Sequence, residues 1–103
     1  MNVEIKLARG SIPQIRKNVP PDVWEKILDR MEEVFAEHEP DIAYGETIKP
    51  LKFMAVPEFR FRFMGWRVGY CVEIGWLKKR VVIYRCDERD KFYSYVRRLG
   101  RRK

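Results

Sequence analysis

Three runs of alternating residues between positions 58 and 86 constrain the fold more than any other feature of the chain. In the first run, three phenylalanines alternate with two arginines: Phe59, Arg60, Phe61, Arg62 and Phe63. In the second run, the apolar residues that share a face are Trp66, Val68, Tyr70, Val72 and Ile74. A third run extends from Arg80 to Cys86. Because side chains alternate between the two faces of a strand, the pattern predicts an antiparallel meander of strands 58–64, 66–75 and 80–86.

The charges of the chain are segregated along its length. The formal net charge is +7, yet residues 1–50 contain seven Lys and Arg against ten Asp and Glu, a balance of −3. Residues 51–103 contain fifteen against five, a balance of +10. A high content of charge is typical of thermophile surfaces, but that does not account for the segregation. Like charges on one small sheet repel each other, so the segregation favours a surface that binds a polyanion such as RNA or DNA.

Length and composition predict one domain that spans residues 1–103. No stretch is apolar and long enough to span a bilayer, and the N-terminus lacks the pattern of a signal peptide, so we expect a cytoplasmic protein with no membrane partner. The two cysteines, Cys71 and Cys86, fall on neighbouring predicted strands; we expect free thiols, with a cross-strand disulfide as the alternative. Two cysteines and one histidine do not supply a standard structural zinc site, and we expect no metal or other cofactor.

The remaining segments complete an α+β pattern. Residues 2–7 alternate as a short strand, and residues 11–18 and 21–38 are predicted helices separated by Pro20 and Pro21. The apolar residues of the second helix recur at helical spacing: Val23, Trp24, Ile27, Leu28, Met31, Val34 and Phe35. Residues 40–57 contain three prolines and predict an irregular segment. A short helix is expected after Cys86, ending near Leu99.

Four segments, in the correct order, resemble the RelE/ParE toxin superfamily. The segment from Phe59 to Tyr70 is similar to the family's aromatic-Arg-x-Arg…aromatic-Arg-Val-x-Tyr segment. The segment from Arg85 to Tyr93 resembles its Arg-x-Gly-His-Arg-Arg-x-x-Tyr ending, with Asp87-Glu88 in place of Gly-His. Upstream, Ile12 to Val34 resembles the family's helical hairpin with a Pro-Pro break, and Lys49-Pro-Leu-Lys52 resembles its Lys-Pro-Leu-x element. The likeness covers nearly the whole chain.

This resemblance implies both a fold and a function. The implied fold is a four-stranded, mainly antiparallel sheet with two N-terminal helices packed on one face and a short C-terminal helix. The RelE branch cleaves mRNA in the ribosomal A site without a metal, by attack of a 2′-hydroxyl on the adjacent phosphate. For this chain the resemblance therefore implies mRNA on the ribosome as substrate, an acidic antitoxin protein as partner, and a hetero-oligomer bridged by that antitoxin.

The resemblance also implies which residues act. The positions that it identifies as catalytic are Arg60, Arg62, Arg67, Arg89 and Tyr93, and the expected RNA-binding residues are Lys49, Lys52, Arg85 and Lys91. Arginine forks pair with phosphate oxygens, but their pKa above ~12 makes them poor bases. Since the family's histidine is absent, Tyr93 is the best remaining base if clustered arginines depress its pKa. Packing of the terminal helix is the alternative role for Tyr93.

Two other functions are compatible with the same residues. A ParE-like protein of this fold inhibits DNA gyrase by binding, without chemistry on RNA. A module that binds RNA or the ribosome without cleaving it is the third alternative. The acidic pair Asp87-Glu88, beside an expected phosphate site, favours these two functions, whereas the arginine set and Tyr93 favour the ribonuclease.

Overall fold

The computed structural model of the chain describes residues 3–51 and 58–101. Five strands and three helices follow one another in the order β1 (Val3–Leu7), α1 (Ser11–Asn18), α2 (Pro21–Phe35), β2 (Ile48–Leu51), β3 (Glu58–Phe63), β4 (Trp66–Ile74), β5 (Lys79–Glu88) and α3 (Arg89–Arg101). The fold is α+β, and the predicted strands 58–64, 66–75 and 80–86 form the antiparallel meander β3–β4–β5.

The sheet has five strands and is mixed, which corrects the expectation of four. Its order is β1-β5-β4-β3-β2, with β1 parallel to β5 and the other pairs antiparallel. The strand that the sequence did not predict is β2, which lies within the segment expected to be irregular. It is only four residues long, contains Pro50, and lies at an edge of the sheet, where proline is tolerated. A strand this short that contains a proline does not show the long alternation of apolar and polar residues that predicted the other strands.

The helix α2 ends three residues earlier than predicted. It stops at Phe35, and the carbonyl of Val34 then accepts hydrogen bonds from the backbone N–H groups of Glu37 (3.1 Å) and His38 (2.8 Å) in a terminal turn. The imidazole of His38 stacks on the ring of Tyr44, with centroids 3.7 Å apart. The only histidine of the sequence therefore packs against the loop after α2.

Both N-terminal helices cover the sheet face that carries the phenylalanines, as predicted. The buried core joins helical residues to strand residues, with Ile15, Ile27, Met31, Val34 and Phe35 on one side and Phe59, Phe61, Val68, Tyr70, Val81 and Ile83 on the other. Phe35 contacts the rings of Phe61 and Tyr70 edge-on, at centroid distances of 5.7 and 5.8 Å. Burial of each large apolar side chain contributes about 1.5–3 kcal/mol, so this layer holds the helices on the sheet.

The helix α3 packs on the opposite face of the sheet, through the fully buried Phe92. Gly69 of β4 makes this close approach feasible. A Cβ at that position would lie 2.7 Å from Cζ of Tyr84, closer than such atoms approach, and 3.0 Å from Cε1 of Phe92, a very tight contact. The sheet is therefore covered by α1 and α2 on one side and by α3 on the other, and residues of β3 and β4 beside α3 remain accessible.

The two cysteines are free, as expected. Cys71 pairs with Val82 and Cys86 with Val68, so the cysteines are not opposite each other on β4 and β5. Burial raises the pKa of Cys86 to about 12 and raises that of Cys71 above its usual value, and both thiols are therefore protonated at neutral pH. None of the helices in the described part of the chain is long and apolar enough to cross a membrane.

Candidate functional site

A groove of about 480 Å³ lies between the outer ends of β3 and β4 and the start of α3. Its walls are formed by seven side chains, Glu46, Arg60, Arg62, Met64, Arg67, Arg89 and Tyr93. The structure thus brings together all five residues predicted to be catalytic, although they are separated by up to 33 positions in the sequence. Their roles in catalysis stay a prediction. We call this feature the cationic groove.

Arg60 forms the fixed floor of the cationic groove. Only 6% of its surface is exposed, and its Nε donates a hydrogen bond of 3.0 Å to the phenol oxygen of Tyr93. Its Nη1 donates to the backbone carbonyl of Glu46, and its Nη2 lies 3.7 Å from the carboxylate of the same residue. Arg60 therefore orients Tyr93 and holds the loop that carries Glu46 against the sheet.

Arg67 braces the turn between β3 and β4. It is 5% exposed, and its Nη1 donates to the carbonyls of Met64 and Trp66, at 2.8 Å each. These bonds support a strained backbone, because Met64 has a φ of 51° in the left-handed region. The Nε of Arg67 is buried and has no hydrogen-bond partner within the described ranges. A buried donor without a partner is costly.

Two further arginines place exposed positive charge at the mouth of the groove. Arg62 is exposed and lies directly opposite Arg67 in the β3–β4 ladder, a like-charged pair that destabilises the sheet. Arg89 is exposed at the first position of α3, and its backbone N–H donates to the carbonyl of Gly65 at 2.9 Å. That bond ties the helix start to the β3–β4 turn. The resulting concentration of guanidinium groups favours a phosphate ligand.

Glu46 is the groove residue that the sequence did not reveal. It precedes β2 in a loop that the N–H of Arg62 holds against β3 by donating to the carbonyl of Thr47 at 2.9 Å. Its carboxylate lies 3.1 Å from Nζ of Lys49, and this hydrogen bond is the main reason that the pKa of Glu46 falls below its usual 4.5. The carboxylate is therefore ionised at neutral pH. Only the β2–β3 register brings it to the groove, and no sequence motif marks that register.

The residues predicted to bind RNA are divided between two surfaces. Lys49 lies beside the cationic groove through its ion pair with Glu46, whereas Lys52 is outside the described residues. Arg85 and Lys91 line a second cleft of about 720 Å³ along α3. The guanidinium of Arg85 also lies 4.0 Å from the ring centre of Tyr95. Arg85 therefore lies outside the cationic groove, and its role in binding RNA stays a prediction.

Asp87 is a structural carboxylate rather than an acid in the phosphate site. It is 1% exposed, its Oδ2 accepts a 2.6 Å hydrogen bond from Nε of Arg85, and its Oδ1 accepts one of 3.2 Å from Gln14. Gln14 lies on α1, so this network links α1 to the end of β5. Among the described residues, no three His, Cys, Asp or Glu side chains cluster as metal ligands.

Comparisons with known proteins identify the fold. No protein-family model matches the chain, and no curated protein matches it by sequence. The RelBE2 toxin–antitoxin complex of Mycobacterium tuberculosis matches with a TM-score of 0.62 at 19% identity, over 86% of this chain and 100% of the other. The YoeB/ParE toxin of Agrobacterium tumefaciens matches with a TM-score of 0.59 at 18% identity, over 84% and 98%. The archaeal RelE–RelB complex of Pyrococcus horikoshii matches with a TM-score of 0.56 at 16% identity, over 86% and 97%. The chain therefore has the fold of the RelE/ParE toxin superfamily.

Proposed function

We propose that this chain is the toxin of a toxin–antitoxin pair and that it cleaves mRNA on the ribosome in the cationic groove. The observation that carries the proposal is the composition of that groove, in which four arginines and a tyrosine surround a single carboxylate. This set supplies positive charge for a phosphate, a proton acceptor and a proton donor within one small volume. A surface used only for binding has no need of the last two groups.

The arginines would stabilise the phosphorane that forms during the reaction. Arg62 and Arg89 are exposed and can contact the phosphate directly, while Arg67 adds positive charge that its hydrogen bonds to Met64 and Trp66 hold fixed in the groove wall. Fixed donors aimed at developing charge lower the barrier because they need no reorganisation during the reaction. The guanidinium groups supply the charge that a metal ion would otherwise provide, so the proposed reaction uses no metal.

The two proton transfers fall to Glu46 and Tyr93. The 2′-oxygen of the RNA attacks the adjacent phosphorus, and its proton passes to the ionised carboxylate of Glu46. As the bond between phosphorus and the 5′-oxygen breaks, that oxygen takes a proton from the hydroxyl of Tyr93. The phenol oxygen already accepts a hydrogen bond from Arg60, so its own proton is free to be donated and the phenolate is left beside a positive charge. This assignment revises the role of Tyr93 from base to acid.

An acidic antitoxin and the ribosome are the partners that this proposal requires. The net charge of +10 in residues 51–103 suits an acidic protein segment that covers the cationic groove when the toxin is inactive. Two of the structures with this fold are toxin–antitoxin complexes, RelBE2 and the archaeal RelE–RelB pair. An antitoxin that binds more than one copy of the toxin would give the antitoxin-bridged hetero-oligomer that the family resemblance implies.

Single-turnover cleavage of mRNA on programmed ribosomes tests the proposal. Wild-type protein should cut the mRNA, and Arg89→Ala should lower the rate by a factor of ~10² to 10³, because it removes charge from the phosphorane. Ribosome binding by Arg89→Ala should be nearly intact. Arg30→Ala is the matched control, since Arg30 is exposed on α2 and has its own partner in Glu33, and it should cleave like wild type.

The same preparation should be assayed for inhibition of DNA supercoiling by gyrase. A protein that stalls gyrase and leaves ribosome-bound mRNA intact would contradict the proposal and establish the ParE-like function in its place. A protein that binds ribosomes but neither cuts mRNA nor inhibits gyrase would also contradict the proposal. That result would favour a module that only binds RNA or the ribosome.

A further inference from the structure

The two edges of the sheet differ in how well they are protected from pairing with another strand. Edge strand β2 is four residues long and contains Pro50, which has no N–H to donate. Edge strand β1 is five residues long and contains neither proline nor a bulge. Within the described residues, no strand pairs with its outer side. The β1 edge is therefore the one that is open to a partner strand.

The backbone of β1 directs alternate residues outward. The N–H of Ala8 donates to the carbonyl of Ile83 on β5 at 2.7 Å, so the backbone groups of Ala8 point toward β5. The N–H and C=O groups of successive residues point to opposite sides of a strand. The backbone groups of Glu4 and Lys6 therefore also point toward β5. The backbone groups of Val3, Ile5 and Leu7 consequently face the free edge, where they can bond another chain.

We propose that a second copy of this chain pairs with the free edge of β1, antiparallel to it and about a two-fold axis at Ile5. In this register Ile5 is opposite the partner's Ile5, and Val3 is opposite the partner's Leu7. The backbone groups of all these residues point to the free edge, so the residues opposite each other form hydrogen-bonded pairs. The two five-stranded sheets would become one continuous sheet of ten strands.

The side chains of β1 are complementary to their own copy in this register. Glu4 becomes opposite the partner's Lys6, and Lys6 opposite the partner's Glu4. These are non-hydrogen-bonded pairs, in which side chains approach most closely, and opposite charges there stabilise the ladder. Lys6 is exposed and has no ion pair among the described residues, whereas Glu4 contacts Lys78 and Arg80 of its own chain. A two-fold axis makes this exchange reciprocal.

The same axis places two apolar surfaces near each other. The β4–β5 turn exposes Ile74, Trp76 and Leu77, with Trp76 95% exposed, and Val3 at the start of β1 lines a cleft with this turn. Beyond the other end of β1, an apolar cleft of about 400 Å³ is lined by Leu7, Ile12, Ile15, Val19 and Trp24, among others. Since Val3 is level with the partner's Leu7, the turn of each copy lies beside the apolar cleft of the other. Burial of both would strengthen the association.

The proposed interface leaves the cationic groove free. The groove is built on β3, β4 and α3, and β5 separates β4 from β1. Each copy carries a net charge of +7, so the two copies repel each other at low salt. Added salt screens that repulsion and should strengthen the dimer, whereas it weakens binding to RNA. The two associations are therefore distinguished by the sign of their salt dependence.

Sedimentation equilibrium of the full chain over a range of concentrations tests this inference. We expect a reversible dimer for wild type and a dissociation constant about tenfold higher for Lys6→Glu, since two attractive pairs become repulsive. Lys26→Glu changes the net charge equally, at an exposed position on α2, and should dimerise like wild type. Trp76→Ser should weaken the dimer without affecting the folded monomer, because Trp76 is almost fully exposed.

Two results would overturn the inference. One is a wild-type chain that stays monomeric up to millimolar concentration in moderate salt. The other is a dimer whose dissociation constant Lys6→Glu and Lys26→Glu change equally, since that outcome would show that no ion pair between Glu4 and the partner's Lys6 holds the copies together and would place the interface elsewhere.

Discussion

Replacing Glu46 with glutamine should lower the single-turnover rate of mRNA cleavage by a factor of ~10² to 10⁴, the usual contribution of a general base. The amide keeps the shape of the side chain but has no ability to accept the proton of the 2′-hydroxyl. The carboxylate contributes little to the fold, because it is largely exposed and Lys49 is its closest partner. The variant should therefore fold and bind ribosomes normally, which a thermal melt and a pelleting assay check.

Glu37→Gln serves as the matched control, since Glu37 is an exposed glutamate just after α2. It should cleave mRNA at the wild-type rate. A Glu46→Gln variant that cleaves within about threefold of wild type would contradict the assignment of the base, because loss of a general base costs far more.

Replacing Asp87 with alanine should lower the free energy of unfolding by about 1.5–3 kcal/mol, which is typical for the loss of a hydrogen bond between charged groups. The change strands the guanidinium of Arg85 at the end of β5 and removes an acceptor from Gln14, which links α1 to the sheet. Chemical denaturation monitored by tryptophan fluorescence measures the loss. A chain of this size has little stability to spare, so the midpoint should shift strongly.

Asp90→Ala is the control for this experiment, because the Asp90 side chain is 97% exposed and makes only a 3.8 Å contact with Arg89. Its effect on the free energy of unfolding should stay within about 0.5 kcal/mol. The double variant Arg85→Met with Asp87→Ala should recover part of the lost stability, since it also removes the guanidinium that has lost its carboxylate partner. An Asp87→Ala protein as stable as wild type would show that the buried network contributes nothing to folding.

The sequence predicted the elements whose patterns are strong. The alternation of Phe59, Phe61 and Phe63 with arginines identified β3 and its two faces, and the helical spacing from Val23 to Phe35 identified α2. The same two patterns predicted that α2 would cover the phenylalanine face, because each element has one apolar surface to bury. Local patterns determine these features, so the chain alone is sufficient to predict them.

The sequence did not predict features that depend on contacts between distant residues. Pro50 concealed β2, and without β2 there was no reason to place Glu46 beside Arg60. Asp87 was interpreted as an acid near the phosphate site, because its orientation depends on Gln14 of α1, 73 positions away. The family resemblance identified Arg60 and Arg62 as catalytic, which stays a prediction, and it did not show that Arg60 is buried and Arg62 exposed.

Cleavage of an mRNA with a single 2′-deoxy nucleotide at the cleaved position tests the central claim most directly. The proposed reaction needs the 2′-oxygen as nucleophile, so wild-type protein should leave this mRNA intact on the ribosome while cutting the all-ribose mRNA. The ribose substrate should yield one product with a 2′,3′-cyclic phosphate and another with a 5′-hydroxyl. Cleavage of the deoxy substrate at the ribose rate, or products that end in a 5′-phosphate, would contradict the account of the cationic groove as a ribonuclease site that activates the 2′-hydroxyl.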